Sequence, residues 1–509
     1  MDNFKPAAIF KDNMVLQQNK NINFWGNSDP YVYVSLKIKN NIYKTKASSD
    51  GKWRITVPPV SAGGPYDILF SDGEKNIICK NVMIGEVWFA GGQSNMEFEL
   101  KNSKEYTDTV NEIKKNKPDI RFYLTPRQSF FSPDFDWAEQ NTKWTEADED
   151  EIGQWSAVAF YAAKRLTKKL PGITIGIIGC YFGGSSASVW VDNNTLKNDS
   201  VLSEYIDDYQ KQTADKTPEE HAKAYQEYQA SNSQWWGKYN EIMQIHPEMT
   251  WDDIQNVLSE YQWCPPLGPY SPYRPCALFE TMFTRVCPYT VKGIWFYQGE
   301  SDTYKSHIYY RLFTSLINKW RECWHDYKLP FIFIQLPMYG EENSHTDAKE
   351  WAYIREAQNK TFDTIKNTGM VVILDQGDFS NIHPPQKKCV GMRLADQSIE
   401  LVYGKNTDSF GPMYSRYEIH NNKIKIIFDY ADNGFYVKGS KISGFEIAGS
   451  NKIFFNADAQ IQKNCILLSA QDVPEPVFAR YNFRNYAPVT LFGKNGVPAA
   501  PFRTSHDDE

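Results

Sequence analysis

Four polar loops each follow an apolar run, and each carries side chains suited to bond-breaking chemistry. The first is Gly91-Gly92-Gln93-Ser94-Asn95-Met96, after Val87-Trp88-Phe89-Ala90. Its glycines permit a tight turn that presents the Ser94 hydroxyl at a helix start. A helix N-cap is the plainer reading of the same serine, and Gly-x-Ser-x-Met is not the Gly-x-Ser-x-Gly of an ordinary nucleophile elbow. The second loop, Gly179-Cys180-Tyr181-Phe182-Gly183-Gly184-Ser185-Ser186, offers main-chain N–H groups around Gly184 to an anion or oxyanion. It lacks the Lys of a phosphate loop, and a glycine turn for close packing reads equally well. The third, Gln298-Gly299-Glu300-Ser301-Asp302, joins an amide to two carboxylates, and the fourth runs from Asp375 through Asp378 and Ser380 to His383-Pro384.

Nucleophilic catalysis is the chemistry that uses all four. A neutral His383 takes the Ser94 proton as the oxygen attacks an acyl carbonyl, then protonates the leaving alcohol. Main-chain N–H groups near Ser94 and Gly184, with the Gln298 amide, are the candidate oxyanion donors. Asp378, with Asp375 behind it, is the candidate carboxylate for orienting the imidazole; a main-chain carbonyl in that role would leave a Ser-His dyad. Paired carboxylates at Glu300 and Asp302 also fit glycoside hydrolysis, but a neighbouring Ser and His explain the site better. Of eight His, only His383 sits at a late strand end: His221 and His246 fall in a polar stretch, His307 and His325 in a helix, His345 in a hydrophilic loop, His420 in a β segment and His506 in the tail. An unperturbed imidazole would make activity rise near pH ~6.5.

Loops of this kind need a rigid scaffold. From Phe4 to about Lys80 short apolar and polar residues alternate between turn clusters, as in Tyr31-Val32-Tyr33-Val34-Ser35-Leu36, which predicts an N-terminal β domain over 1–80. Over 81–405 the texture changes to wholly apolar strands, Val87–Ala90, Ile173–Ile178, Gly293–Tyr297, Phe331–Gln335 and Met370–Leu374. Helical patterns alternate with them at Ser156–Lys169, Ile308–Trp324, Trp351–Ile365 and Val390–Val402. That alternation predicts an α/β core, a mostly parallel sheet covered by helices on both faces. A polar helical stretch, 194–263, reads as an insertion at the substrate mouth or an interface, and a second β segment covers 406–509. Ligands of such sheets bind at the carboxyl ends of the strands, where the four loops lie.

With 509 residues there is ample chain for a large core, and a net charge of -7 without a Lys/Arg run argues against nucleic acid as a partner. Aromatic residues make up 15%, which suits sugar stacking as well as core packing, so a non-catalytic carbohydrate-binding protein is the rival reading. A peptidase using the same Ser and His would need a peptide cleft that nothing in the sequence marks. Eight scattered Cys without a Cys-x-x-Cys pair signal no zinc ribbon, leaving room for one or two disulfides. No apolar run reaches the length of a membrane span. No metal or other cofactor is expected.

The motifs resemble those of the sialate O-acetylesterase family of SGNH-type carbohydrate esterases. The likeness runs along nearly the whole chain: Asp12-Asn13-Met14-Val15-Leu16-Gln17, Asp50-Gly51-Lys52-Trp53, Ala62-Gly63-Gly64-Pro65-Tyr66, Gly92-Gln93-Ser94-Asn95-Met96, Gly183-Gly184-Ser185, Tyr297-Gln298-Gly299-Glu300-Ser301, Ile382-His383-Pro384 and Pro501-Phe502-Arg503-Thr504. The resemblance implies a flavodoxin-like SGNH hydrolase core with flanking sandwich or jelly-roll-like β segments. It implies Ser94 as nucleophile, His383 as base, and Gly184, Gln298 and Glu300 at the oxyanion and substrate positions. Two residues depart from the pattern: Asp302 stands where many relatives have Asn, and Ser380 where the superfamily has the Asp three residues before the His. The substrate implied is an acetylated carbohydrate, 9-O-acetyl sialate first and acetylated xylan or xyloglucan second. Arg274, Arg355 and Arg393 are candidates for reading a sialate carboxylate. A periplasmic or secreted location is expected if a signal peptide has been removed.

Overall fold

Trp88 and Phe89 are consecutive in one strand, so their side chains point to opposite faces of its sheet. The computed structural model describes residues 3–505 apart from 247–248, 250, 260, 263 and 341–348, which leaves His345, His506 and the expected insertion end at Trp263 outside the described residues. That strand is β1 (Asn76–Gly92). The sheet continues with β2 (Ile120–Leu124), β3 (Trp144–Glu146), β4 (Ile175–Tyr181), β5 (Gly293–Tyr297), β6 (Phe331–Ile334) and β7 (Thr368–Val371). Its helices are α1 (Ser94–Glu97), α2 (Ala157–Lys169), α3 (Ser306–Trp324), α4 (Glu350–Thr364) and α5 (Lys387–Tyr403).

Spatial order is β3-β2-β4-β1-β5-β6-β7, parallel throughout except for the antiparallel edge pair β3 and β2. On one face Trp88 stacks on Trp295 at 4.7 Å, and the Trp295 indole donates to Ser398 Oγ of α5 at 2.9 Å. On the other, Phe89 and Phe296 pack against Trp320 of α3 at 5.3 and 5.5 Å. Helices α2 and α5 pack together, as do α3 and α4, so both faces are covered. Each aromatic so buried is worth roughly 1.5–3 kcal/mol, which makes these two layers the principal stabilising feature.

From β4 to β7 the order is second, first, third, fourth, fifth along the chain. The chain therefore reverses direction across the sheet beside β1, and the crevice at the carboxyl ends of β1 and β5 is the switch point where such sheets bind ligands. Ser94 follows β1 and Gln298 follows β5.

The amino-terminal half of β1 pairs antiparallel with Gly63–Ser71 and parallel with Val15–Gln17, so one strand of 17 residues runs from the N-terminal β elements into the core. The N-terminal strands share their hydrophobic cluster with the α/β part. The C-terminal strands, among them Met413–His420, Lys423–Asp429 and Cys465–Ser469, enclose a second cluster around Ile424, Ile447 and Leu468. The polar stretch forms helices including Glu204–Thr213 and Pro218–Ile245, the latter opened by a Thr217/Glu220 capping box.

The strands β2 and β3, the outermost pair on one side of the sheet, were absent from the sequence expectation. Arg121 interrupts the apolar run of β2, yet it is buried, its guanidinium donating to the main-chain carbonyls of Asn13 and Asn81. All eight cysteines are free thiols, so neither of the disulfides left open by the sequence forms. Among the described residues no helix is long and apolar enough to cross a membrane.

Gly92 ends β1 with φ of 137°, and a Cβ there would lie 2.1 Å from the Tyr297 carbonyl oxygen. Backbone strain and overlap coincide, so Gly92→Ala is expected to destabilise the fold by about 2–3 kcal/mol. Chemical denaturation monitored by tryptophan fluorescence would read this; an unchanged midpoint contradicts it.

Candidate active site

The short helix α1 starts at Ser94; the N–H groups of Met96 and Glu97 donate to the Gln93 carbonyl, and those of Ser94 and Asn95 have no acceptor within the helix. Ser94 is half-buried, and its Oγ lies 2.7 Å from His383 Nε2. His383 comes from the loop before α5, where its main-chain N–H donates to Asn381 Oδ1 at 2.8 Å. Gly183 and Gly184 follow β4. A Cβ on Gly183 would sit 3.6 Å from Ser94 Cβ, and Gly184 is exposed with φ of 69°. The structure therefore brings Ser94, His383 and the Gly184 loop together.

Behind the serine lies a buried polar chain. Gln93 Oε1 accepts the main-chain N–H groups of Gly299 and Ser301, both at 3.3 Å, and its Nε2 donates to Ser301 Oγ at 3.2 Å. Asn95 Nδ2 donates to Glu300 Oε1 at 2.7 Å and to the Ile382 carbonyl at 3.0 Å, while Asn95 Oδ1 accepts Lys387 Nζ at 2.5 Å. Asn95 thus ties the serine turn to both the carboxylate loop and the histidine loop.

Several expected residues sit differently. Glu300 is buried behind the serine turn, with one oxygen on Asn95 and the other without a partner among the described residues, so it does not line the open crevice. Gln298 is also buried. Its Nε2 donates to the Ser185 carbonyl (3.2 Å) and to Asp302 Oδ2 (2.5 Å), and its Oε1 accepts the Tyr309 hydroxyl (3.0 Å), so both amide hydrogens point away from an oxyanion. Asp302 is fully buried and accepts from Ser186 Oγ, Ala187 N–H, Tyr205 OH and Gln298. It braces the glycine loop, and Tyr205 brings the polar helical stretch into that brace.

Asp378 is exposed, and its Oδ1 accepts N–H groups of Ser380 (3.0 Å) and Asn381 (2.9 Å), closing its own turn rather than bonding His383. Asp375 forms a two-bond pair with Arg393 at 2.6 and 2.8 Å. Neither carboxylate reaches the imidazole, and Nδ1 of His383 has no partner among the described residues.

Burial, assisted by the Lys387 ammonium, brings His383 down to about 4 from the usual imidazole value of 6.5. Burial likewise brings Lys387 down to about 7, opposed by the Glu300 carboxylate, and burial raises Glu300 and Asp302. The sequence pointed to neither Lys387 nor Asn95 as a part of the site. A signal existed for the lysine: it occupies the first turn of α5, where the helix dipole disfavours a cation.

A match to the carbohydrate esterase, sialic acid-specific acetylesterase family covers residues 268–400, which include Gln298, Glu300 and His383. The chain is 25% identical to the sialate O-acetylesterase of Mus musculus over 84% of its own length and 79% of that protein. To the Homo sapiens sialate O-acetylesterase it is 24% identical, over 82% and 75%. Among solved structures, a carbohydrate acetylesterase from Xanthomonas citri superposes with a TM-score of 0.77 at 25% identity, covering 99% of both chains. The chain is a carbohydrate esterase, a carboxylic ester hydrolase. Within that class it is a relative of the sialate O-acetylesterases.

An imidazole depressed to about 4 stays neutral, and able to accept a proton, at every pH above that value. The acid limb of kcat/KM is therefore expected near pH 4 rather than near the ~6.5 of a free imidazole. Lys387→Met removes the smaller of the two causes and should move that limb upward part of the way; a limb that stays in place in the pH profile would show that the ammonium does not act on His383.

Proposed function

We propose that the protein removes O-acetyl groups from sugars through an acetyl-Ser94 intermediate, with 9-O-acetyl sialate as the leading substrate. The observation that carries this reading is the 2.7 Å contact between Ser94 Oγ and His383 Nε2 at the switch point of the sheet. Neutral His383 accepts the hydroxyl proton as Ser94 Oγ bonds to the acetyl carbon. The developing oxyanion is met by the N–H groups at the start of α1 and by Gly184. As the tetrahedral intermediate collapses, the imidazolium returns its proton to the departing sugar oxygen. Water then attacks the acetyl-enzyme, with His383 again as base, and acetate leaves. Asp378 has no part in this sequence, and a Ser94-His383 dyad is the arrangement the described residues support.

The strand order around β1 and β5, with the serine, glycine, amide and histidine loops in that sequence, fits a flavodoxin-like SGNH core. The curated relatives are named for sialate, which favours it over acetylated xylan, and substrates of that kind are consistent with a location outside the cytoplasm.

Ser94→Ala should lower acetate release from 9-O-acetylated sialic acid by roughly 10⁴-fold or more while the circular dichroism spectrum is retained. Side-by-side assay on acetylated xylo-oligosaccharides ranks the substrates. Turnover by the folded variant at the wild-type rate would remove the nucleophile assignment.

A further inference from the structure

The three arginines considered for a substrate carboxylate are all engaged within the fold. Arg355 is fully buried and donates to the carbonyls of Pro337 and Arg484. Arg393 holds Asp375, and Arg274 holds Glu280 at 2.7 Å and the Pro269 carbonyl at 3.1 Å. Arg127, from the loop after β2, is different. Its side chain is 46% exposed, and its one polar contact among the described residues is NH1 to Glu97 Oε1 at 2.5 Å. The guanidinium lies 5.1 Å over the Phe182 ring, so it is fixed by a charge on one edge and an aromatic face below.

Its position connects it to the serine. Glu97 is the last residue of α1, and its other oxygen accepts the Gly183 N–H at 2.6 Å. Arg127 also lines a cavity of about 370 Å³, with Trp137, Trp155, Thr125, Lys143 and Glu151 among its walls. Trp137 is 67% exposed there, an apolar face open to a sugar ring. Lys143 pairs with Glu151 at 2.7 Å through a compact ammonium, whereas the Arg127 guanidinium has a planar edge of donors left beside its Glu97 contact. Five donors in a planar fork let an arginine keep one carboxylate and bind a second through its free edge, and a guanidinium already held in place loses little freedom in doing so.

We propose that Arg127 and this cavity bind the carboxylate-bearing end of an acetylated acidic sugar, of which sialic acid is the representative, placing the ester end at Ser94. This rests on Ser94 being the esterase nucleophile. Arg127 is then the residue that separates acidic from neutral acetylated sugars.

The test compares kcat/KM on 9-O-acetyl-N-acetylneuraminic acid with kcat/KM on acetylated xylo-oligosaccharides, in wild type, Arg127→Gln and Arg127→Lys. The ratio does not depend on the fraction of folded enzyme. It should fall about tenfold or more in Arg127→Gln, through KM, and less in Arg127→Lys, which keeps the charge but not the fork. An unchanged ratio, or a wild type that prefers the neutral sugars, overturns the carboxylate site and leaves the esterase reading standing. Calorimetric binding of free N-acetylneuraminic acid to Ser94→Ala, lost on adding Arg127→Gln, supports the site without any turnover; binding that survives the added change overturns it. Wild type silent on both esters removes the esterase reading itself.

Discussion

One side-chain oxygen, Oε1 of Gln93, accepts the N–H groups of both Gly299 and Ser301, and the remaining geometry of the crevice depends on that clamp. The serine turn and the carboxylate loop come from neighbouring parallel strands with no local connection between them. The strand ladder brings them together as far as Gly92 and Tyr297, and beyond it the Gln93 N–H donates to the Tyr297 carbonyl while the Gly92 backbone lies too close to Tyr297 for any side chain. With these two turns locked, Asn95 has one position, and from it reaches Glu300, the Ile382 carbonyl and Lys387 at once. The histidine loop is thereby tied to the serine turn through the residue next to the serine. Hydrogen bonds in such a dry interior are strong, and leaving any partner unpaired is costly, so the set holds together as a unit.

Charge beneath the crevice is arranged in the same interior. Asp302 at first sight places an anion where an oxyanion would form, but four donors surround it and its role is to hold the turn that carries Gly184. Lys387 and Glu300 stand on either side of the Asn95 amide rather than in contact, so each is desolvated without a direct ion pair. Desolvation in that setting pulls the lysine down and pushes the glutamate up, narrowing the charge that the interior must carry.

The sequence made the parallel strands β1, β4, β5, β6 and β7, the helices α2 to α5 and the four loops legible, because apolar runs and helical periodicity are local signals. It also brought Ser94 and His383 to notice, through turn chemistry and a single well-placed imidazole. The outermost pair on one side of the sheet was not legible: β2 carries a buried arginine whose partners lie far along the chain, and β3 is three residues long. Asp378 was favoured for its nearness in sequence, and a turn-closing aspartate looks identical to an imidazole-orienting one until the backbone is seen. Arg127 escaped for the opposite reason, since nothing local marks an arginine whose partner is the last residue of α1.

Under the proposed mechanism, a base held by burial rather than by a carboxylate has a kinetic consequence. Lowering the imidazole toward 4 keeps it deprotonated in acid, but it also makes the ring a weaker proton acceptor, so less of the barrier is removed by proton transfer. An orienting carboxylate, where one exists, stabilises the imidazolium that forms during acylation. Here the described residues provide none, and the nearby Lys387 ammonium opposes that cation. Under the proposed mechanism stabilisation then falls to the first N–H groups of α1 and the Gly184 turn, which the Gln93 and Asp302 braces hold. Preorganised donors of this kind act most strongly when water is excluded, as it is once a substrate fills the crevice.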